Sequence, residues 1–200
     1  MRILLTILFS FSFTWVFAQY DPQQYWYLGK VILANGEALE GTIKYDLDAN
    51  SILLNTTEQG METLHANQFI GFSIIMDREG IVRTFYSIPY PTETGYKRPS
   101  IFEVLHEGPH SLLAREFVEA PKNLRLKTGE SIRTKYLQFN YFLLDTTGEV
   151  YPLGPKKNQI LAALSNYEKE LKTYIKDEKL KLRKAGDLAK LIAYYDELAN

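Results

Sequence analysis

Hydrophobic and polar positions alternate along most of this chain, in short runs separated by turn residues. The sharpest case is Trp26–Tyr45, WYLGKVILANGEALEGTIKY, where two β-favouring runs flank Asn35-Gly36. Asn-Gly is the strongest short-range hairpin signal, because both central residues of a type I′ turn need positive φ. With those two residues at the tip, Ile32 faces Leu39, Leu28 faces Ile43 and Trp26 faces Tyr45. The alternation then predicts one core face holding these pairs. Tyr27, Val31 and Leu33 fall on the other face with Lys44, Thr42 and Glu40.

The scheme continues downstream. Runs 51–57 and 61–66, 69–76 and 81–88, 101–107 and 111–118, 124–127 and 131–139, and 140–144 and 150–153 each bracket a turn signal. Short strands at such spacing predict a mainly β (α+β) chain, an antiparallel sandwich or open barrel built of hairpins. After Pro155 the period lengthens to that of a helix: Ile160, Leu164, Tyr167, Leu171 and Tyr174 form one stripe, interruptible near Ser165-Asn166. Leu188, Leu191, Ile192, Tyr195 and Leu198 form a second, with Asp187 the expected N-cap. A C-terminal helical segment packed on the β domain is the expectation.

The first residues read differently. Arg2, an apolar run over 3–17 and small residues at Val16 and Ala18 make a secretory signal peptide with cleavage between Ala18 and Gln19. The expected organisation is therefore a signal peptide (1–18), a β-rich domain (19–154) and the helical segment (155–200), in the periplasm or outside a Gram-negative cell. No second span of sufficient apolar length follows. There is no cysteine, which excludes disulfides, thiolate metal sites and a cysteine nucleophile. Net charge is −1; residues 156–200 carry 10 Lys and Arg against 7 Asp and Glu, mixed as on an ordinary solvated helix face. Nothing in this distribution attracts nucleic acid.

Candidate chemistry is sparse. His106-Glu107-Gly108-Pro109-His110 spells H-E-x-x-H, in which two histidines one helical turn apart bind zinc and the glutamate acts as base. That chemistry needs a helix. Pro109 lacks the required N–H and its ring would clash with the preceding turn, at a cost of about 3 kcal/mol, and strand-like runs flank it on both sides. His106, Glu107 and His110 are therefore read as a hairpin tip that coincides with the motif, with no metal and no cofactor expected. The G-x-S-x-G, Walker A and G-x-G-x-x-G patterns are missing. A carboxylate pair such as Glu103 with Asp145 would need its separation measured. The Ile88–Pro99 segment (IPYPTETGYKRP) holds three prolines and reads as a long loop rather than a central strand. Its Tyr90, Tyr96, Lys97 and Arg98 are the best candidates for an exposed binding surface, since tyrosine offers flat apolar area and a hydroxyl.

At Gly29–Gly36, Gly41–Tyr45, Arg83–Tyr86 and Asp187-Leu188 with Tyr194-Tyr195, the chain resembles exported β-rich proteins of Bacteroidetes-type bacteria. No established activity comes with that resemblance. The sequence thus points to an exported, non-enzymatic protein that binds an envelope protein or polysaccharide. A carboxylate- or metal-dependent hydrolase acting on envelope polymers is the alternative.

Overall fold

The computed structural model describes residues 21–76, 80–92, 94–125 and 131–199; the expected signal peptide and its cleavage point lie outside them. A single 3-10 turn at Pro22–Gln24, capped by Asp21, leads into ten strands. They are β1 (Tyr27–Leu33), β2 (Ala38–Asp46), β3 (Ser51–Thr56), β4 (Gly60–His65), β5 (Phe69–Met76), β6 (Ile81–Pro91), β7 (Lys97–His106), β8 (Ser111–Arg125), β9 (Ser131–Leu144) and β10 (Val150–Leu153). They form one antiparallel sheet in the order β10-β9-β8-β7-β6-β5-β1-β2-β3-β4. Three helices follow: α1 (Lys157–Ala163), α2 (Glu168–Asp177) and α3 (Ala185–Ala199), with a 3-10 turn at Ser165–Tyr167 where the stripe was expected to break. The chain is thus mainly antiparallel β with a C-terminal helical segment. Among the described residues no helix is long and apolar enough to cross a membrane.

The sheet must curl. β4 and β5 lie four strand spacings apart, roughly 19 Å in a flat sheet. The link from His65 to Phe69 spans at most about 15 Å, and it is tightened further by the Gln68 N–H bond to the His65 carbonyl. The link also ties the two ends of the curl together. Its Gln68 carbonyl accepts from the Ala34 N–H, its Ala66 N–H donates to Asn50, and its Ala66 carbonyl accepts the Ser87 hydroxyl. Curling brings backbones close: a Cβ on Gly29 would lie 2.3 Å from the Ser73 carbonyl oxygen, and one on Gly41 2.4 Å from that of Asn55. Inside the curl sit Tyr27, Val31, Ile43, Tyr45, Ile52, Leu54, Phe69, Phe72, Ile74 and Phe85, with the Phe72 and Phe85 rings stacked at 4.6 Å. The sheet does not close; β4 and β10 remain its edges.

The first hairpin differs from the sequence expectation. Tyr27 pairs with Ile43 and Val31 with Leu39, so Tyr27 and Val31 face the core while Leu28 and Trp26 are 59% and 38% exposed. The cause is the turn. Gly36 N–H bonds the Leu33 carbonyl, Leu33 N–H bonds that of Glu37, and of the two turn residues Gly36 alone has positive φ. That is a three-residue loop with the glycine in the left-handed bulge position, not a two-residue type I′ turn. The register moves by one residue and the whole of β1 turns over. Residues 92–96 and 145–149 repeat the same bonding with Gly95 and Gly148.

The segment Ile88–Pro99 is also not a loop. Pro89 faces Pro99, Tyr90 faces Arg98 and Pro91 faces Lys97, leaving a turn only at residues 92–96. Facing prolines cannot exchange N–H bonds, so they fit the non-hydrogen-bonded positions of a two-stranded ribbon. β5 pairs with β6 only as far as Tyr86, so β5 asks for no donor from these prolines. Likewise, the four runs expected over 111–144 are two long strands. Pro121 lies within a bulge between Glu119 and Lys122 rather than at a strand end.

The helices cover one face of the β7–β10 half. Leu112, Leu143 and Leu153 pack against Ile160, Leu161, Leu164, Leu171, Leu188, Leu191 and Ile192. Asp187 is not the N-cap; it lies in the first turn of α3 and its carboxylate accepts the Lys181 N–H at 2.8 Å. On the opposite face Phe102, Leu113, Phe142 and Val150 form a smaller cluster joined by Ile88, Tyr90 and Val104.

Candidate functional site

β7 and β8 pair only between Glu103–His106 and Leu112–Ala114. Beyond that the two strands fork, and the β2–β3 corner enters the gap. Asn50, in a left-handed conformation (φ 49°), accepts the Ile101 N–H at 3.1 Å and an Arg115 N–H at 3.3 Å. Arg115 also donates to the Leu47 carbonyl, and its guanidinium lies 5.5 Å from the centre of the Phe102 ring. Arg115 is thereby fixed on the same face of the sheet as Tyr90, Arg98 and Ser100.

These four residues, with Pro91, Thr92 and Thr94, line a groove of about 450 Å3 open to solvent. Tyr90 forms its wall, with its ring edge-to-face on Phe102 and Phe142 at 5.5 Å each. Burial lowers the Arg115 pKa from its ordinary value; the charge of Asp48 opposes this and the charge of Arg98 adds to it. Neither arginine has a carboxylate within ion-pairing distance among the described residues, whereas Arg83 and Lys97 do. Of the four residues expected to bind, Tyr90 and Arg98 therefore come together. Tyr96 is 78% exposed in the adjacent turn, and Lys97 reaches Glu149 at 2.5 Å instead of the groove. Arg115 was not singled out from the sequence. It sits in an ordinary alternating run, and its approach to Arg98 depends on strand pairing.

A larger cleft of about 730 Å3 lies between the 3-10 turn, β2, β3 and Phe117. Asp21, Asp46, Asp48 and Lys44 mix there, as on ordinary solvated surface.

His106–His110 is the β7–β8 turn, not a helix, so the two histidines do not stand one helical turn apart. His110 instead holds α3: its Nδ1 lies 2.6 Å from Asp196, its backbone N–H is 3.2 Å from the same carboxylate, and its ring packs edge-to-face on Tyr195. Among the described residues no three His, Asp or Glu converge as a metal site.

The most enclosed charges lie elsewhere. Arg83 grips Glu103 with two bonds of 2.7 Å, reaches Glu116 at 3.0 Å and donates to the Tyr45 hydroxyl at 2.9 Å. Tyr45 in turn donates to Glu116 at 2.5 Å. Burial pushes the Tyr45 phenol well above its ordinary pKa; Arg83 pulls against this and Glu116 adds to it. Burial works against the Arg83 charge, but Glu103, Tyr45 and Glu116 outweigh it and hold the guanidinium above its ordinary value. Glu103 is therefore committed to Arg83, while Asp145 accepts from Thr147 and Glu149 in its own turn. The pair named for hydrolysis is not assembled by these contacts. No protein-family model matches the chain, and comparison with curated proteins and solved structures finds no match.

Proposed function

We propose that this chain is an exported, non-enzymatic protein of the cell envelope that binds a partner protein or polysaccharide at the Tyr90–Arg98–Arg115 groove. One observation carries the reading: two arginines that have no carboxylate within ion-pairing distance among the described residues share a hydroxyl-bearing groove whose walls are anchored in the core. A guanidinium fixed like that of Arg115 in a solvent-open groove is poised for recognition, because its ordering cost is met before the ligand arrives. Export rests on the N-terminal pattern of Arg2, the apolar run and Ala18. The resemblance to exported Bacteroidetes-type proteins agrees with it. The alternative, hydrolysis of envelope polymers, gains no support from Glu103, whose two oxygens are bound by Arg83, or from Asp145, whose Oδ1 is held within its own turn.

The test uses Arg98 of the groove and Tyr96 of the adjacent turn, whose exposed side chains do not support the core. Immobilised protein carrying Tyr96→Ala and Arg98→Ala is expected to lose most of its capture from envelope fractions while keeping wild-type circular dichroism. Unchanged capture would remove the groove from the reading. Mass spectrometry of protein expressed with its leader is expected to show Gln19 as the first residue; retention of Met1 would remove export.

A further inference from the structure

We infer that the groove between Arg98 and Arg115 takes a uronic-acid-bearing glycan, with the sugar carboxylate held by the two guanidinium groups and the sugar hydroxyls by Tyr90, Thr92 and Thr94. The inference rests on the binding role proposed above and names its ligand class.

Three observations carry it. First, two cations line one groove, and among the described residues neither has a carboxylate within ion-pairing distance, although the charge of Asp48 acts on Arg115 from farther off. An anion bound there would relieve the repulsion between them. Second, Arg115 is pre-organised. Two of its five N–H donors are spent on Asn50 and Leu47 and its guanidinium carbon sits 5.5 Å from the Phe102 ring centre, so the group as a whole is held in place. A guanidinium so held matches a planar carboxylate by paired hydrogen bonds. Third, apart from Pro91 the rest of the lining bears hydroxyls: the Tyr90 phenol, Thr92 and Thr94, whose hydroxyls meet at 2.9 Å, and the buried Ser100, which donates to the Arg98 carbonyl. Hydroxyls donate and accept, as a sugar ring does, and they offer little to an acyl chain. A membrane surface or an apolar peptide is accordingly the poorer fit.

The probe is a galacturonate hexamer titrated calorimetrically into the full mature chain. Its fully methyl-esterified form, which keeps every ring hydroxyl and loses the charge, serves as control. Inorganic phosphate and a poly-glutamate peptide are competitors. The free acid is expected to bind, and the ester at least about tenfold more weakly, as fits the loss of a charge-assisted hydrogen bond. Arg98→Gln should weaken the acid by a similar factor and leave the ester unaffected. Arg115→Lys keeps the charge, so it separates loss of the fork from loss of the fold: weaker acid binding with an unchanged unfolding midpoint supports the assignment. Equal binding of acid and ester, no binding of either, or equal competition by poly-glutamate or phosphate would overturn it. If the Tyr96 and Arg98 variants still lose envelope capture in that case, the groove stands as a binding site and only its ligand class falls. If capture is unaffected, the groove itself falls.

Discussion

Arg83 is the side chain on which most depends for its size. It serves two carboxylates and a phenol at once, with 12% of its side chain exposed, and Glu116 is fully enclosed. Removing the shared cation leaves two acids facing each other in the interior. Arg83→Met is therefore expected to cost about 3–5 kcal/mol, read as a lowered urea midpoint. The half-exposed Lys97–Glu149 pair should cost under about 1 kcal/mol when Lys97 is replaced by Met. Equal losses would show that Arg83 acts through packing alone. Tyr45 adds a pH dependence whose sign follows from its raised pKa. The unfolded phenol releases its proton near about pH 10, whereas the folded one keeps it. Stability from this residue is complete below that pH and falls as pH rises beyond it. Tyr45→Phe should lower stability at neutral pH by roughly 1–3 kcal/mol through the lost bond to Glu116. It should also flatten the alkaline limb by up to about 1.4 kcal/mol per pH unit. Denaturation midpoints between pH 8 and pH 11, with the exposed Tyr96→Phe as control, distinguish these effects.

Hairpins are the repeating element here, and their glycines are not equivalent. Gly36 has open space around it and a positive φ; Gly29 has an ordinary φ and the Ser73 carbonyl where a Cβ would go. Gly36→Ala is expected to cost roughly 1–2 kcal/mol through backbone strain alone. Gly29→Ala should cost more, because a backbone contact cannot be relieved by turning a side chain. If thermal melts rank them the other way, the curl of the sheet is not held by that close approach. The same elements show what could be read from sequence. Most turn positions were legible, since Gly36, Gly60 and Gly148 mark them chemically; the turn at Gly95 was hidden inside a segment that reads as a loop. The period change after Pro155 was legible too, because an amphipathic stripe is local. The register of β1 was not: Asn35-Gly36 serves a two-residue or a three-residue loop, and only packing chooses. Pro89, Pro91 and Pro99 looked like loop residues because sequence does not reveal that two facing prolines share a non-bonded position. Arg115 and the Arg83 network were illegible for a plainer reason. Their partners lie 65 and 33 residues away, joined by strand order that no local pattern encodes.

On the scale of the whole molecule, the helical segment is a lid on one face of the β7–β10 half. It covers Leu112, Leu143 and Leu153, each less than 8% exposed. A chain ending at Lys184 would lose α3 and bare much of that face, so it is expected to elute as aggregates in size-exclusion chromatography. A monodisperse monomer would show that β7–β10 does not depend on the helix. Asp196 fastens the lid to the β7–β8 turn through His110. Asp196→Ala should cost roughly 1–3 kcal/mol and hasten proteolysis within α3 before the sheet is cut.

One feature of the strand order bears on how such a chain reaches its fold. Every neighbouring pair of strands is also consecutive in sequence except β1 and β5, where Val31 meets Phe72. All other pairings close short loops and can form early and independently. The β1–β5 seam must wait for two separate meanders to meet, with the larger loss of chain entropy that distant contacts carry. A substitution at the seam, such as Phe72→Leu, should then slow refolding in stopped-flow experiments. One on the β9–β10 hairpin, such as Val150→Ala, should chiefly speed unfolding. The strand that carries the hairpin nearest the N-terminus would be among the last to be locked in place.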